Sequence, residues 1–188
     1  MIKRKGWRDI TVGQYLELVA AGDKLTLADG LRIVYGVDIR EVPVSAVGRY
    51  SLEFLKEEPK RSPIRSEYTL NGRKYAANFD TTRMTTAQFV DFQNYTKAED
   101  FVGALSVCLH PVGHDYNDGY SIDEVKADIK AMPIVQALTI AFFFKNQLVI
   151  LLNATLSSSA EVLRNDPKMK MFAAFIEGAG LQSSAYCL

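Results

Sequence analysis

Apolar side chains recur at helical spacing over the first 57 residues and predict three successive helices. Thr11 and Gln14 form a capping box, in which the hydroxyl accepts the backbone N–H three residues on and the amide reaches back. The first helix therefore begins at Thr11 and ends at Gly22. A second helix is predicted over residues 25–35. Pro43 suits the first turn of a third helix, whose apolar positions are Val44, Val47, Tyr50, Leu52, Phe54 and Leu55.

A β-hairpin is predicted next, over residues 66–78. Asn71 and Gly72 supply the two positive φ angles that a type I′ turn requires. The apolar positions of its strands are Tyr68, Leu70, Tyr75 and Phe79. Because two strands alone are marginally stable in water, we expect the hairpin to pack on the helices or to pair with another chain.

The helical pattern then starts again. Thr85 and Gln88 repeat the capping box 74 residues after the first, in the segment Thr85-Thr86-Ala87-Gln88-Phe89-Val90-Asp91-Phe92. Apolar residues over 101–109 match the second helix at the same offset. The order of helix starts and aromatic positions therefore indicates a repeat.

The third helix of the second set differs from that of the first. Pro133 matches Pro43 at an offset of 90 residues and opens a much longer predicted helix, over residues 133–156. The 16 extra residues fall in an inserted loop, residues 110–126. We expect function to lie where the two copies differ.

These patterns predict a mainly α fold. Two three-helix units share one core, a β-hairpin lies between them, and the C-terminal tail is helical. The duplicated domain covers residues 1–156, with copies at about 9–57 and 83–156, and the tail covers residues 157–188. Repeated units of this kind cannot bury their apolar faces alone and pack against each other.

The tail has its own character. Methionine and aromatic residues at a chain end suit an adaptable docking surface. An equally good interpretation is that the tail covers the core of this protein itself. On the first interpretation the partner-binding residues are Met169, Met171, Phe172, Phe175, Ile176 and Tyr186.

Composition narrows the class of protein. Hydrophobic residues are 48% of the chain, which favours a packed core. The 22 basic and 22 acidic residues balance, so the chain has no net positive charge that would attract nucleic acid. Two isolated cysteines predict no disulfide framework. Polar residues interrupt the most apolar segment, 134–152, which indicates a buried helix rather than a membrane span. We expect a soluble intracellular protein without a signal peptide.

The inserted loop contains the best candidates for chemistry. His110, His114 and Asp115 could ligate a metal ion, but Pro111 and Gly113 keep the histidines off one helical face, and the glycine spacing fails for a calcium loop. The pattern favours a turn-rich loop, with Asn117-Asp118-Gly119 as the turn and Ser121 as the cap of the next helix. We therefore predict no catalytic, cofactor or metal site, and a metal-dependent enzyme is the weaker alternative.

Several motifs together resemble one group of proteins. They are the segment Trp7-Arg8-Asp9-Ile10-Thr11 with Gln14-Tyr15, the hairpin, residues 85–95, the loop 110–120, and Pro133 before Phe142-Phe143-Phe144. The chain resembles small proteins from the tail and virion-structure gene regions of tailed phages that infect gut Bacteroidetes, including crAss-like phages. The resemblance covers most of residues 7–150 and leaves the tail unmatched.

This resemblance implies a non-enzymatic phage morphogenesis protein, either a tail or neck assembly factor or a virion component. Its implied partners are other phage structural or tail proteins, with a homo-oligomer as a further expectation and no membrane or direct nucleic-acid contact. The implied location is the host cytoplasm during assembly, or the virion. A self-assembling ring or connector subunit is the main alternative. The group brings no catalytic residues and no cofactor.

Overall fold

The computed structural model describes the backbone of residues 3–158 and the side chains of residues 3–150 except Thr82. Helices dominate, as the sequence predicts, and a small antiparallel sheet accompanies them. The helices are α1 (Val12–Ala21), α2 (Leu27–Tyr35), α3 (Val44–Val47), α4 (Thr86–Lys97), α5 (Phe101–Cys108), α6 (Ile122–Ala131) and α7 (Ile134–Ser158). The strands are β1 (Glu67–Leu70), β2 (Arg73–Ala77) and β3 (Leu109–Pro111).

Both predicted capping boxes are confirmed. At the start of α1, Thr11 Oγ1 accepts the Gln14 N–H at 3.2 Å and Gln14 Oε1 accepts the Thr11 N–H at 3.0 Å. At the start of α4, the same exchange joins Thr85 and Gln88, at 3.2 and 2.9 Å. These bonds satisfy backbone donors that have no partner inside their own helix.

The core is built around α5, which is buried along most of its length and contacts α4, α6 and α7. Fully buried residues that are distant in sequence join the same core, among them Ile10, Met132 and Ile134. Ile10 accepts a backbone hydrogen bond from Ile134 at 2.8 Å, and Met132 accepts one from Val12 at 2.8 Å. This short antiparallel bridge fixes the start of α1 beside the start of α7.

The sheet has three strands in the order β1-β2-β3. β1 and β2 flank the turn Asn71-Gly72, where both residues have positive φ. The expectation of a two-stranded hairpin is incomplete, because β3 pairs with β2 and opens the segment predicted as a loop. The third strand supplies partners for β2 that two strands alone would lack.

The prediction of one helix over residues 43–55 is wrong. α3 is a single turn, and its Val44 is 92% exposed, so this segment has no buried apolar face along its length. The chain then makes a 3₁₀ turn at Glu53–Lys56, which brings Leu52, Phe54 and Leu55 against the core. Only α7 develops into the long third helix.

The N-terminal segment is fixed by Trp7. Its indole N–H donates to the Glu57 carbonyl at 2.7 Å, and its ring meets Phe54 and Tyr15 edge-on at 5.2 and 6.1 Å. Trp7 therefore anchors the N-terminal segment on the core and connects Phe54 and Glu57 to Tyr15 of α1.

Candidate interaction site

An open apolar groove lies between α4, α5 and α7. It encloses a cavity of about 190 Å³, and the side chains that line it are Phe92, Thr96, Phe101, Ala104, Leu105, Cys108, Ala141, Phe144, Lys145 and Leu148. Phe92 and Phe144 pack against each other across it, with ring centroids 4.9 Å apart. We call this surface the α4–α5–α7 groove.

The α4–α5 turn sets one wall of the groove. Asp100 caps α5 by accepting the Gly103 N–H at 2.8 Å. Gly103 lies so close to Tyr95 that a Cβ atom there would be 2.3 Å from the ring. Lys126 of α6 bonds Asp100 at 3.1 Å and lies 4.2 Å from the Tyr95 ring centroid. The backbones of α4 and α5 can therefore approach closely at their connection.

Asp100 and Lys126 are both charged at this turn. Burial opposes ionisation of Asp100, but the Gly103 N–H and the Lys126 ammonium outweigh it and lower the pKa of the carboxyl group. The pKa of Lys126 is raised: burial opposes its charge, and the hydrogen bond to Asp100 and the nearby carboxylate favour it. The pair holds α6 against the α4–α5 turn in its charged form.

The groove itself offers little chemistry. The Thr96 hydroxyl donates to the Phe92 carbonyl at 2.8 Å, so this polar group is used within its own helix. Cys108 is buried, and burial raises the pKa of its thiol, which keeps the sulfur protonated and unreactive. Lys145 supplies the one charged side chain among the described lining residues. The arrangement suits apolar side chains of a partner segment rather than a reacting substrate.

Next to the groove along α7 lies a wider and more polar depression of about 480 Å³, which shares Ala141 and Lys145 with it. Arg61 places its guanidinium 3.3 Å from the centroid of the Phe142 ring, a cation–π contact. Glu58 and Tyr15 complete the rim. Because Arg61 already covers the largest exposed apolar ring here, this side is partly closed by its own chain.

A buried carboxylate joins the sheet to α6. Asp128, 4% exposed, accepts the Tyr75 hydroxyl at 2.5 Å and the Asn71 amide at 2.9 Å, and Arg73 lies 3.4 Å away. Burial and the hydrogen bond to Asp128 raise the pKa of Tyr75. Glu124 also accepts from Arg73, at 2.5 Å. No buried side-chain polar atom of these described residues lacks a hydrogen-bond partner, which indicates a structural joint rather than a reactive centre.

The candidate metal ligands of the inserted loop lie on a strand, in the case of His110, and in the loop that follows it, in the case of His114 and Asp115. His110 lies on β3 opposite Ala76, whereas His114 is exposed and its Nδ1 is 3.0 Å from the Asp118 carbonyl oxygen. Asp115 is exposed as well. Within residues 3–158, no group of three or more His, Cys, Asp or Glu side chains is arranged to hold a metal ion.

Two details of this loop differ from expectation. Ser121 precedes α6, but its side chain makes no capping hydrogen bond within the described residues. Tyr116 instead fastens the loop by donating to Asp91 of α4 at 2.9 Å. Burial and this bond raise the pKa of the Tyr116 hydroxyl. No sequence pattern indicates this contact of Asp91, because only the folded loop brings Tyr116 to it.

The predicted partner-binding residues are in another part of the chain. Met169, Met171, Phe172, Phe175, Ile176 and Tyr186 lie outside the described residues. No local sequence pattern indicates the α4–α5–α7 groove, since it is formed by faces of three separate helices. One signal was present in the sequence: α7 has more apolar positions than one buried face requires.

Comparisons with known proteins give no family for this chain. No protein-family model, no curated protein and no solved structure shows a significant match to it. In the part of the chain that the structure describes, no helix combines the length and apolar character needed to cross a membrane.

Proposed function

We propose that the protein is a non-enzymatic phage morphogenesis protein that acts through protein–protein contacts, as a tail or neck assembly factor or as a virion component. The observation that carries this proposal is the α4–α5–α7 groove, an open apolar surface whose lining suits a partner segment. The resemblance of residues 7–150 supplies the phage setting. Its partners are other phage structural or tail proteins, in the host cytoplasm during assembly or in the virion.

Two kinds of contact follow from the architecture. The tail, with its closely spaced apolar residues, docks on a partner as a helix in a groove. The sheet offers a second contact, because β1 is an edge strand whose Glu67 and Thr69 side chains are exposed. A partner strand can add to such an edge through backbone hydrogen bonds.

We also propose that the helical scaffold arose by internal duplication. α1 with α2 and α4 with α5 each begin with a Thr/Gln capping box. Leu31 and Leu105 hold matching positions in the second helix of each pair, and both are buried. The third helices have diverged, which would leave α7 free to form the groove that the first copy lacks.

The tail contact is tested by deleting residues 160–188. We expect the truncated protein to keep its helical circular dichroism and cooperative unfolding, and to lose the phage structural proteins that the tagged full-length chain retains in a pull-down from infected cells. Normal retention by the truncated protein would show that the tail is not the docking segment.

A pair of full-length variants separates apolar contact from chain length. Replacing Met169, Phe172 and Ile176 with serine should abolish retention, whereas replacing Lys168 and Lys170 with serine should leave it unchanged. The two variants alter the same segment and differ in the kind of side chain removed. Mass spectrometry of purified particles then tells whether the chain is a virion component or only an assembly factor.

A self-assembling ring or connector subunit is the second candidate. It is favoured by the presence of an open groove and an apolar tail on one chain, because two different complementary surfaces generate head-to-tail rings. Light scattering on the pure protein distinguishes the two: a discrete oligomer indicates the ring, and a monomer indicates the assembly factor.

A further inference from the structure

We propose that residues 169–176 of this same chain occupy the α4–α5–α7 groove in the free protein. The groove lies between three helices and is lined mainly by apolar side chains: Leu105, Cys108, Phe144 and Leu148 are buried at its base, and the other six lining residues are partly exposed. From the last groove residue of this helix, Leu148, α7 runs on to Ser158, which is where the chain outside the described residues begins.

The length of the segment matches the length of the groove. On α7 the lining runs from Ala141 to Leu148, eight residues and about 12 Å of helix. Residues 169–176 are also eight, and their sequence predicts a helix after Pro167. Met169, Phe172 and Ile176 fall at positions i, i+3 and i+7, so one face of that helix presents three large apolar side chains.

The connection is long enough to bring the segment back. From Leu148 to Ser158, α7 extends ten residues, or about 15 Å. The ten residues 159–168 can span up to about 33 Å when extended. The chain can therefore reverse beyond Ser158 and return along α7, with Met169 near Leu148 and Ile176 near Ala141.

The covalent connection favours docking of the segment of the same molecule over docking of the segment of a second copy. A short tether holds the segment at an effective concentration on the order of millimolar next to its groove. A second copy at micromolar concentration competes poorly with it. If the proposed function is correct, a partner that binds the same apolar residues must displace them from the groove, so the docked tail lowers the apparent affinity for that partner.

Paramagnetic relaxation tests the contact in the full-length chain. A spin label is attached at Lys170→Cys in a Cys187→Ser background, and the buried Cys108 does not react. We expect the amide signals of residues 101–108 and 141–148 to lose intensity in the labelled chain. An isotope-labelled chain without a spin label, mixed with a spin-labelled chain without isotope, should show no loss.

Two substitutions control this experiment. Ala104→Glu places a charge in the groove wall and should restore the signals, and the exposed Ala127→Glu on α6 should not. Phe172→Ser should restore them as well without altering any described residue, which covers the case in which Ala104→Glu fails to fold. If these amide signals lose intensity only in the mixed sample, the groove is occupied by the segment of a second copy. If they lose intensity in neither sample, the segment is not docked. Either result overturns the proposal.

These outcomes are distinct from failure of the proposed function. A tail that is undocked in the free protein can still bind a phage structural protein in the pull-down. Conversely, a docked tail with no partner in infected cells would support the intramolecular contact and count against the assembly role.

Discussion

At the scale of single residues, close contacts between elements decide which side chains the fold accepts. Gly103 is the clearest case, because its Cα lies against the Tyr95 ring and the Asp100 carboxylate. A methyl group there would be 2.3 Å from a ring carbon and 2.5 Å from a carboxylate oxygen. The position excludes any side chain without movement of α4 against α5.

We predict that Gly103→Ala lowers the free energy of unfolding by about 1–3 kcal/mol, the usual cost of overpacking. Urea denaturation followed by circular dichroism measures it. Gly48→Ala is the matched control, since no described atom lies within 4 Å of its Cβ position and its φ is −64°. That substitution should be neutral or slightly stabilising, and equal losses in the two variants would refute the packing explanation.

His110 makes the stability depend on pH. Burial lowers the pKa of this half-buried ring below its ordinary value of 6.5, with Asp115 opposing and His114 adding to the shift, and its Nδ1 has no hydrogen-bond partner among the described residues. As the pH falls below about 6.5, the unfolded chain binds a proton that the native ring resists. Native stability is therefore lost as the pH falls through this range.

We expect the free energy of unfolding of the native chain to decrease between about pH 7 and pH 5 more steeply than that of His110→Gln. Urea titrations at a series of pH values give both curves. Parallel curves would mean that His110 does not contribute to the pH dependence.

At the scale of elements, short-range bonds determine where helices begin, and burial determines how far they run. α3 and α7 both follow a proline, yet α3 is one turn and α7 has 25 residues. The difference lies in what they pack against: α7 contacts α5 and α1, whereas Val44 of α3 faces solvent. Helices without a buried face are not stable beyond a turn or two.

We predict that Thr85→Ala costs about 1 kcal/mol of stability because it removes the cap of α4. Thr85→Ser keeps the hydroxyl and should retain most of that stability. Thr86→Ala, at an exposed position one residue inside the helix, should change it by less than about 0.5 kcal/mol. Similar losses from Thr85→Ala and Thr86→Ala in chemical denaturation would show that the capping bonds are not responsible.

At the scale of the whole molecule, one buried carboxylate connects the sheet to the helices. Asp128 accepts hydrogen bonds from Asn71 in the β1–β2 turn and from Tyr75 on β2. Because Tyr75 is fully buried, loss of the carboxylate would leave its hydroxyl group without a partner. The sheet would then be joined to α6 by the exposed Arg73–Glu124 ion pair and by apolar contacts.

We predict that Asp128→Ala destabilises the protein by about 3 kcal/mol or more, since it breaks a buried charged network. Glu124→Ala is the control, because it removes the exposed ion pair between Glu124 and Arg73. This substitution should lower the free energy of unfolding by less than about 1 kcal/mol. Thermal and urea unfolding measure both. A loss of similar size in the two variants would mean that the buried joint contributes no more than a surface ion pair.

The groove could be predicted from the sequence only in part. Most of its residues were individually expected to be apolar and helical, including Phe92 and Phe144. Which of them would line a common cavity depended on how three helices meet, and no local pattern encodes that angle. The metal candidates illustrate the same limit, because the pairing of β3 with β2 places the half-buried His110 on a strand, whereas His114 is exposed on the loop.

The sequence by itself determined the features that depend on contacts three or four residues apart: the capping boxes of α1 and α4, the Asn71-Gly72 turn and the mainly helical composition of the chain. Only the tertiary structure decided the third strand, the shortness of α3, the burial of Asp128 and the open groove beside α7. The physical reason is that backbone conformation is set locally, whereas the free energy of burial depends on which distant surfaces meet.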